Sequence, residues 1–113
     1  MTPLSDLQEE VSPARARELH EAGEVQLVDV REQHEWDAGR IAGASHVPVA
    51  ELSEQADSLD RDRPVVFYCL SGGRSAMATQ AFNASGFDAH NLTGGIAAWN
   101  AEGLPMEGEV ANH

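Results

Sequence analysis

The stretch Pro64-Val-Val-Phe-Tyr-Cys69-Leu-Ser-Gly-Gly-Arg74-Ser75, continued by Ala76-Met-Ala-Thr-Gln-Ala-Phe-Asn-Ala-Ser-Gly86, decides the fold. Pro64–Cys69 is apolar along its length, as a parallel strand covered on both faces should be. Ser75–Ser85 carries Ala78, Ala81 and Phe82 on one face and meets Gly86 as its stop, which predicts a helix. A short loop with two glycines joins them. Cys69, the only cysteine, stands where strand gives way to loop. A strand-to-helix turn gathers backbone N–H groups that lack partners, and the first helical turn adds its positive end. A thiolate placed there would be stabilised by both.

Working outward, strands alternate with short helices. Ser12-Pro13 reads as an N-cap followed by proline at the first helical position, opening a helix through Ala14–Ala22 that stops at Gly23. Val25–Val30 is a strand whose end delivers Asp29 and Arg31. Glu32–Ala38 reads as a short helix ended by Gly39, and Ser45–Val47 as a short strand closed by Pro48. Val49–Leu59 reads as a helix, with Val49, Leu52, Ala56 and Leu59 at helical spacing. Phe87–Leu92 is the next strand, and Thr93-Gly94-Gly95 turns into a helix over Ile96–Ala101. Residues 107–113 read as a loose polar tail. This alternation predicts an α/β domain with a parallel sheet, in which function gathers at the carboxyl ends of strands.

Composition narrows the function. One domain is expected over residues 1–113, with its core at about 10–106. A lone cysteine excludes an intramolecular disulfide and a cysteine-based zinc site. His20, His34, His46, His90 and His113 are scattered without ligand spacing, so no metal is expected. The N-terminus shows neither a basic nor an apolar leader region, and no apolar run approaches the roughly 20 residues of a membrane span. A cytoplasmic protein away from membranes is the expectation. The net charge of −12 argues against a nucleic-acid partner. No acidic residue lies between Asp62 and Asp88, whereas Arg63 and Arg74 do. A buried strand and its helix exclude carboxylates in any case, and the gap also leaves Cys69 open to an anion.

The thiolate is the nucleophilic form of cysteine, and local positive potential favours it. Backbone N–H groups from Leu70 to Ser75 can converge because Gly72 and Gly73 permit positive φ and close approach. Arg74 adds the full positive charge of the loop, and Ser71 and Ser75 add hydroxyls. Such a loop accepts an anion or a charged sulfur, so a phosphatase and a sulfurtransferase compete. Four residues separate Cys69 from Arg74. Cysteine phosphatases place one more there, which makes room for a tetrahedral oxyanion. The shorter loop suits a single extra sulfur atom.

Cys69-Leu-Ser-Gly-Gly-Arg74-Ser75 resembles the Cys-x-x-Gly-x-Arg-Ser active-site loop of single-domain rhodanese-like sulfurtransferases. The flanking segments agree in order. Leu27-Val-Asp29-Val-Arg31-Glu32, Glu35-Trp36 and Gly39-Arg40-Ile41-Ala42-Gly43-Ala44 are similar to the family's Asp-x-Arg and Gly-His-Ile-Pro-Gly-Ala segments. Leu92-Thr-Gly94-Gly95-Ile96 through Trp99, with Gly103-Leu104-Pro105, resembles its C-terminal signature. Arg40 stands where the family usually has His, and Ala42 where it usually has Pro, which should loosen that turn slightly.

The resemblance implies a three-layer α/β/α domain with a central parallel sheet of about five strands, and no metal or organic cofactor. It implies a sulfurtransferase that takes a sulfane sulfur from a small anionic donor such as thiosulfate. Cys69 would carry that sulfur as a persulfide in the cradle of Leu70, Ser71, Gly72, Gly73, Arg74 and Ser75. A thiophilic acceptor (cyanide, a thiol or a protein) would remove it. Arg74 would bind the donor's sulfonate or tie down the loop. Asp29 and Arg31 are supporting residues, read as structural partners of each other, because a carboxylate facing the thiolate would oppose its ionisation. Trp36 and Trp99 are expected in the core or the pocket wall. Two alternatives stand beside this one. The first is a non-catalytic or carrier module relaying sulfur to a partner protein. The second is a small cysteine phosphatase or arsenate reductase. No oligomeric state is legible.

Overall fold

The structure is a computed structural model that describes residues 7–109. Its centre is a parallel sheet in the order β1 (Glu10–Val11), β6 (Ala89–Leu92), β5 (Val65–Tyr68), β2 (Gln26–Asp29), β4 (Ser45–His46). From β2 the chain steps outward to β4, returns to β5 on the other side of β2, and moves on to β6, which lies beside the edge strand β1. The direction reverses between β2 and β5, so a crevice opens at their carboxyl ends. Asp29 and Cys69 sit at those two ends.

Side chains alternate across the sheet with the period of a pleated strand. On β5, Val66 and Tyr68 point to a core shared with Ala16 and Leu19 of helix α1 (Pro13–Glu21) and Ile96 and Trp99 of α4 (Gly95–Ala101). Val65, Phe67 and Cys69 point the other way, to Ala78 and Phe82 of α3 (Gly73–Ala84). Helices therefore cover both faces, and the layering is α/β/α. Among the described residues no helix is long and apolar enough to cross a membrane.

Local signals acted where expected. Ser12 caps α1, its hydroxyl accepting from the Arg15 N–H at 3.2 Å, with Pro13 opening the helix. Helix α2 (Gln33–Ala38) ends at Gly39. Two expectations are corrected. Val49–Leu59 is not a helix but two short 3-10 turns, Val49–Glu51 and Ala56–Ser58. Of its four spaced apolar residues Leu52 is buried, Ala56 and Leu59 pack only partly against the core and Val49 is exposed, and a segment this short needs a fully packed face to hold a helix. The expected loose tail is partly ordered. Strand β7 (Met106–Gly108) pairs antiparallel with β3 (Gly39–Ile41), setting Arg40 beside Glu107 with Nε 3.3 Å from the carboxylate. Residues 110–113 of that tail lie outside the described residues, as do residues 1–6. Strand β1 was not anticipated, because two residues are too few to display a periodic pattern.

Candidate active site

The end of β2 is closed by a buried ion pair. The Arg31 guanidinium donates to Asp29 through Nε (3.0 and 3.1 Å) and Nη2 (2.7 Å), and the Arg31 backbone N–H donates to Oδ1 at 2.9 Å. Nη2 also reaches the Gly39 carbonyl at 2.7 Å, which fastens the strand after α2 to this corner. Neither side chain is exposed. Burial works against the charged guanidinium, but the bonds and charge of Asp29 prevail and raise its pKa. Asp29 and Arg31 are each other's partners, the pairing expected from the sequence.

The end of β5 carries Cys69, which is 1% exposed. Its Sγ accepts from the Gly72 N–H at 3.1 Å and has Ser75 Oγ at 3.4 Å. Burial pushes the thiol's pKa up. The Ser75 hydroxyl, when its single proton is turned to the sulfur, and the backbone N–H groups of Ser75, Gly72 and Ser71 outweigh it, and the net shift is downward. The loop can fold back this tightly because Gly72, at φ 116°, caps α3 in the left-handed region. Helix α3 therefore starts at Gly73, two residues earlier than expected.

A second glycine holds the loop from behind. Gly95 has φ 63°, and a Cβ there would lie 2.5 Å from the carbonyl oxygens of Cys69 and Leu70. That approach lets Ile96 N–H and Ala97 N–H, in the first turn of α4, donate to those carbonyls at 2.9 and 3.0 Å. The Thr93-Gly94-Gly95 turn is thus a backstop for the cysteine.

Arg74 lies across the loop and meets Glu35 of α2 in a bidentate pair, Nη1–Oε1 2.8 Å and Nη2–Oε2 3.1 Å. Its side chain is 40% exposed, while that of Glu35 is 7% exposed. The bonds from Arg74 hold the Glu35 carboxyl down at about 2, against the opposing effect of burial. Glu35 also accepts from the Glu32 N–H at 3.0 Å as part of a capping box. Sequence reasoning assigned Glu35 no role. The available signal was a carboxylate in the first turn of a helix expected to follow Arg31.

The cradle residues divide. Gly72, Ser71 and Ser75 face donors to the sulfur. Leu70 packs its side chain against the α1–α4 core, Gly73 opens α3, and Arg74 is spent on the Glu35 tether. The tryptophans part company. Trp99 is buried and donates through Nε1 to the Pro105 carbonyl at 2.9 Å. Trp36 is half-buried, stacked on His46 at 4.9 Å and 9°, with the Arg40 guanidinium 5.2 Å from its ring centroid. His46 is held by donation to the Arg31 carbonyl at 2.8 Å. In place of the usual histidine, Arg40 links α2 to β7 through the Trp36 carbonyl (2.9 Å) and Glu107.

The geometry makes a buried thiol with an oxyanion-hole-like set of N–H donors. Known proteins match this arrangement. The profile of the rhodanese-like domain matches residues 12–102. YtwF of Bacillus subtilis, named as a sulfurtransferase, is 38% identical over 97 residues, covering 85% of this chain and 94% of its own length. Thiosulfate sulfurtransferase GlpE of Pseudomonas aeruginosa is 32% identical, covering 87% of this chain and 89% of its own length. An HTH-type transcriptional regulator of Mycobacterium tuberculosis is 37% identical over 97% of this chain, which spans only 50% of that protein. Among solved structures, a rhodanese-related protein from Thermoplasma volcanium superposes with a TM-score of 0.82 at 31% identity, covering 90% of this chain and all of the other.

Proposed function

The chain belongs to the rhodanese-like domain family, and from that membership we propose that it transfers a sulfane sulfur from thiosulfate, or a related small anionic donor, through a Cys69 persulfide. The observation that carries this reading is the Cys69 sulfur accepting from the Gly72 N–H while the donors of Ser75 and Ser71 favour its ionised form. The ionised sulfur attacks the outer sulfur of thiosulfate. The S–S bond of the donor breaks, sulfite leaves with the electron pair, and Cys69 keeps the outer sulfur as a persulfide anion. The N–H groups that held the thiolate stabilise that anion, each charged hydrogen bond contributing about 1.5–3 kcal/mol. A nucleophilic acceptor (cyanide, a thiol or a protein thiol) then attacks the outer sulfur and returns the Cys69 thiolate.

The reading calls for no metal or general base, because the N–H donors around Cys69 favour its ionised form. Arg74 acts chiefly as the loop's tether to Glu35, and it also interacts with Cys69, adding positive charge beside the sulfur. Asp29 and Arg31 support the corner without touching the donor. Only four residues separate Cys69 from Arg74, and a loop this short favours a single extra sulfur over a phosphoryl group.

The test is incubation with thiosulfate followed by intact-mass measurement, then cyanide and thiocyanate detection. A gain of one sulfur on Cys69 and turnover to thiocyanate are expected, both abolished in Cys69→Ser. Absence of the sulfur adduct on the native protein across thiosulfate and organic persulfide donors would sink the proposal.

A further inference from the structure

A file of hydrogen-bonded side chains runs from Cys69 to the surface. Ser75 Oγ lies 3.4 Å from the Cys69 sulfur and 2.5 Å from Oδ1 of Asn91 on β6. Asn91 is 4% exposed, and its Nδ2 donates to Glu10 Oε2 at 2.9 Å and faces the Gly72 carbonyl at 3.4 Å. The other oxygen of Glu10 accepts from Thr93 Oγ at 3.0 Å. A carboxylate and a backbone carbonyl can only accept, so the amide must turn its nitrogen to them and its oxygen to Ser75.

Ser75 has one hydroxyl proton. An oxygen acceptor at 2.5 Å outcompetes a sulfur at 3.4 Å and the Gly72 carbonyl at 3.3 Å. With its proton on the Asn91 side, Ser75 turns lone pairs toward Cys69. Lone pairs accept from a thiol and oppose a thiolate.

We propose that Asn91, oriented by Glu10, is a positioning residue that holds the Ser75 proton away from Cys69, so that Ser75 must turn from Asn91 to donate to the thiolate. Ionisation of Cys69 is then coupled to breaking the Ser75–Asn91 bond. The backbone N–H groups pull the thiol toward ionisation and Asn91 restrains it. This balance matters because thiolate nucleophilicity falls as the thiol becomes more acidic, and an attacking thiol works best with its pKa near the ambient pH.

Other charged and titratable groups surround the site. Arg74 of the loop pairs with Glu35 of α2 and also interacts with Cys69, favouring its thiolate whichever way Ser75 points, and Arg31 pairs with Asp29 at the end of β2. Tyr68 on β5 accepts from the Ile41 N–H, and His90 on β6 is held by Asp88 and the Gln8 carbonyl. Glu10 on β1 is the one linked to the thiol through Asn91.

The inference rests on Cys69 being the reacting thiol, as in the function proposed above, but its test uses no sulfur donor, so the two can fail separately. The rate of Cys69 alkylation by iodoacetamide is followed against pH in the native protein, Asn91→Leu, Glu10→Gln, and each of these combined with Ser75→Ala. Asn91→Leu keeps the shape and removes the acceptor. Its alkylation midpoint should move down by about one pH unit, the size of one hydrogen bond gained by a charged group. Glu10→Gln lets the Asn91 amide reverse and should shift the midpoint the same way by less, even if the buried variant does not fold. In the Ser75→Ala background both shifts should vanish, whereas a plain charge effect of Glu10 would persist. An unchanged or raised midpoint in either variant, or a shift that survives without the Ser75 hydroxyl, overturns the proposal.

Discussion

Two arginine–carboxylate pairs stand at the carboxyl ends of adjacent strands, and they do different work. Asp29–Arg31 is fully buried, formed between residues two apart, and bonded on to the Gly39 carbonyl. Glu35–Arg74 joins residues 39 apart and leaves Arg74 40% exposed. The desolvation cost of a buried pair offsets most of its attraction, yet removing one member strands an unpaired charge in the core. A half-exposed pair is screened, so it adds little stability. It can still decide where a loop sits. The buried pair therefore belongs to the scaffold, and the exposed one belongs to the site.

The largest effect expected from this contrast is on folding. Asp29→Ala leaves the Arg31 guanidinium buried without its partner and should cost about 3–5 kcal/mol, read from the denaturant midpoint. A loss no greater than that from Glu35→Ala would erase the distinction.

Next in size is an effect on rate. Glu35→Gln should lower the rate of Cys69 persulfidation about tenfold, because a loop slightly misplaced presents its N–H groups poorly. Its stability should fall by no more than about 1 kcal/mol. A variant that loses stability but keeps its rate would put Glu35 with the scaffold.

The smallest effect is a pH dependence. The folded carboxyl of Glu35 titrates at about 2, below its ordinary value of 4.5. Its stabilisation is fully present above 4.5 and is lost as pH falls from there toward 2. Hydrogen exchange at the start of α3 should rise through that window in the native protein and stay flat in Glu35→Gln. Equal acid sensitivity in both would assign the change to other carboxylates.

The legible parts of the molecule were those with local causes. Ser12 and Pro13 announced α1, and the strand–glycine–helix run around Cys69 announced the loop. The Asp-x-Arg spacing brought Arg31 back onto Asp29 within one turn of chain. The misread parts lacked such causes. Val49–Leu59 has helical spacing, but the fold buries that face only at Leu52, packs Ala56 and Leu59 partly and leaves Val49 exposed. Met106–Gly108 looks like a polar tail, and becomes a strand only because β3 presents an open edge.

The sequence by itself determined the alternation of the main strands and helices and the parallel α/β architecture, and it singled out the thiol proposed to react, since each follows from periodicity, turn chemistry or a single cysteine in a glycine loop. Tertiary structure alone decided what surrounds that thiol. Glu35 meets Arg74 because α2 follows β2, the neighbour of β5 in the sheet. Glu10 meets Asn91 because β1 pairs with β6 in the register that sets those two residues side by side. Strand order and register arise from packing the whole chain, and no local stretch of residues encodes them.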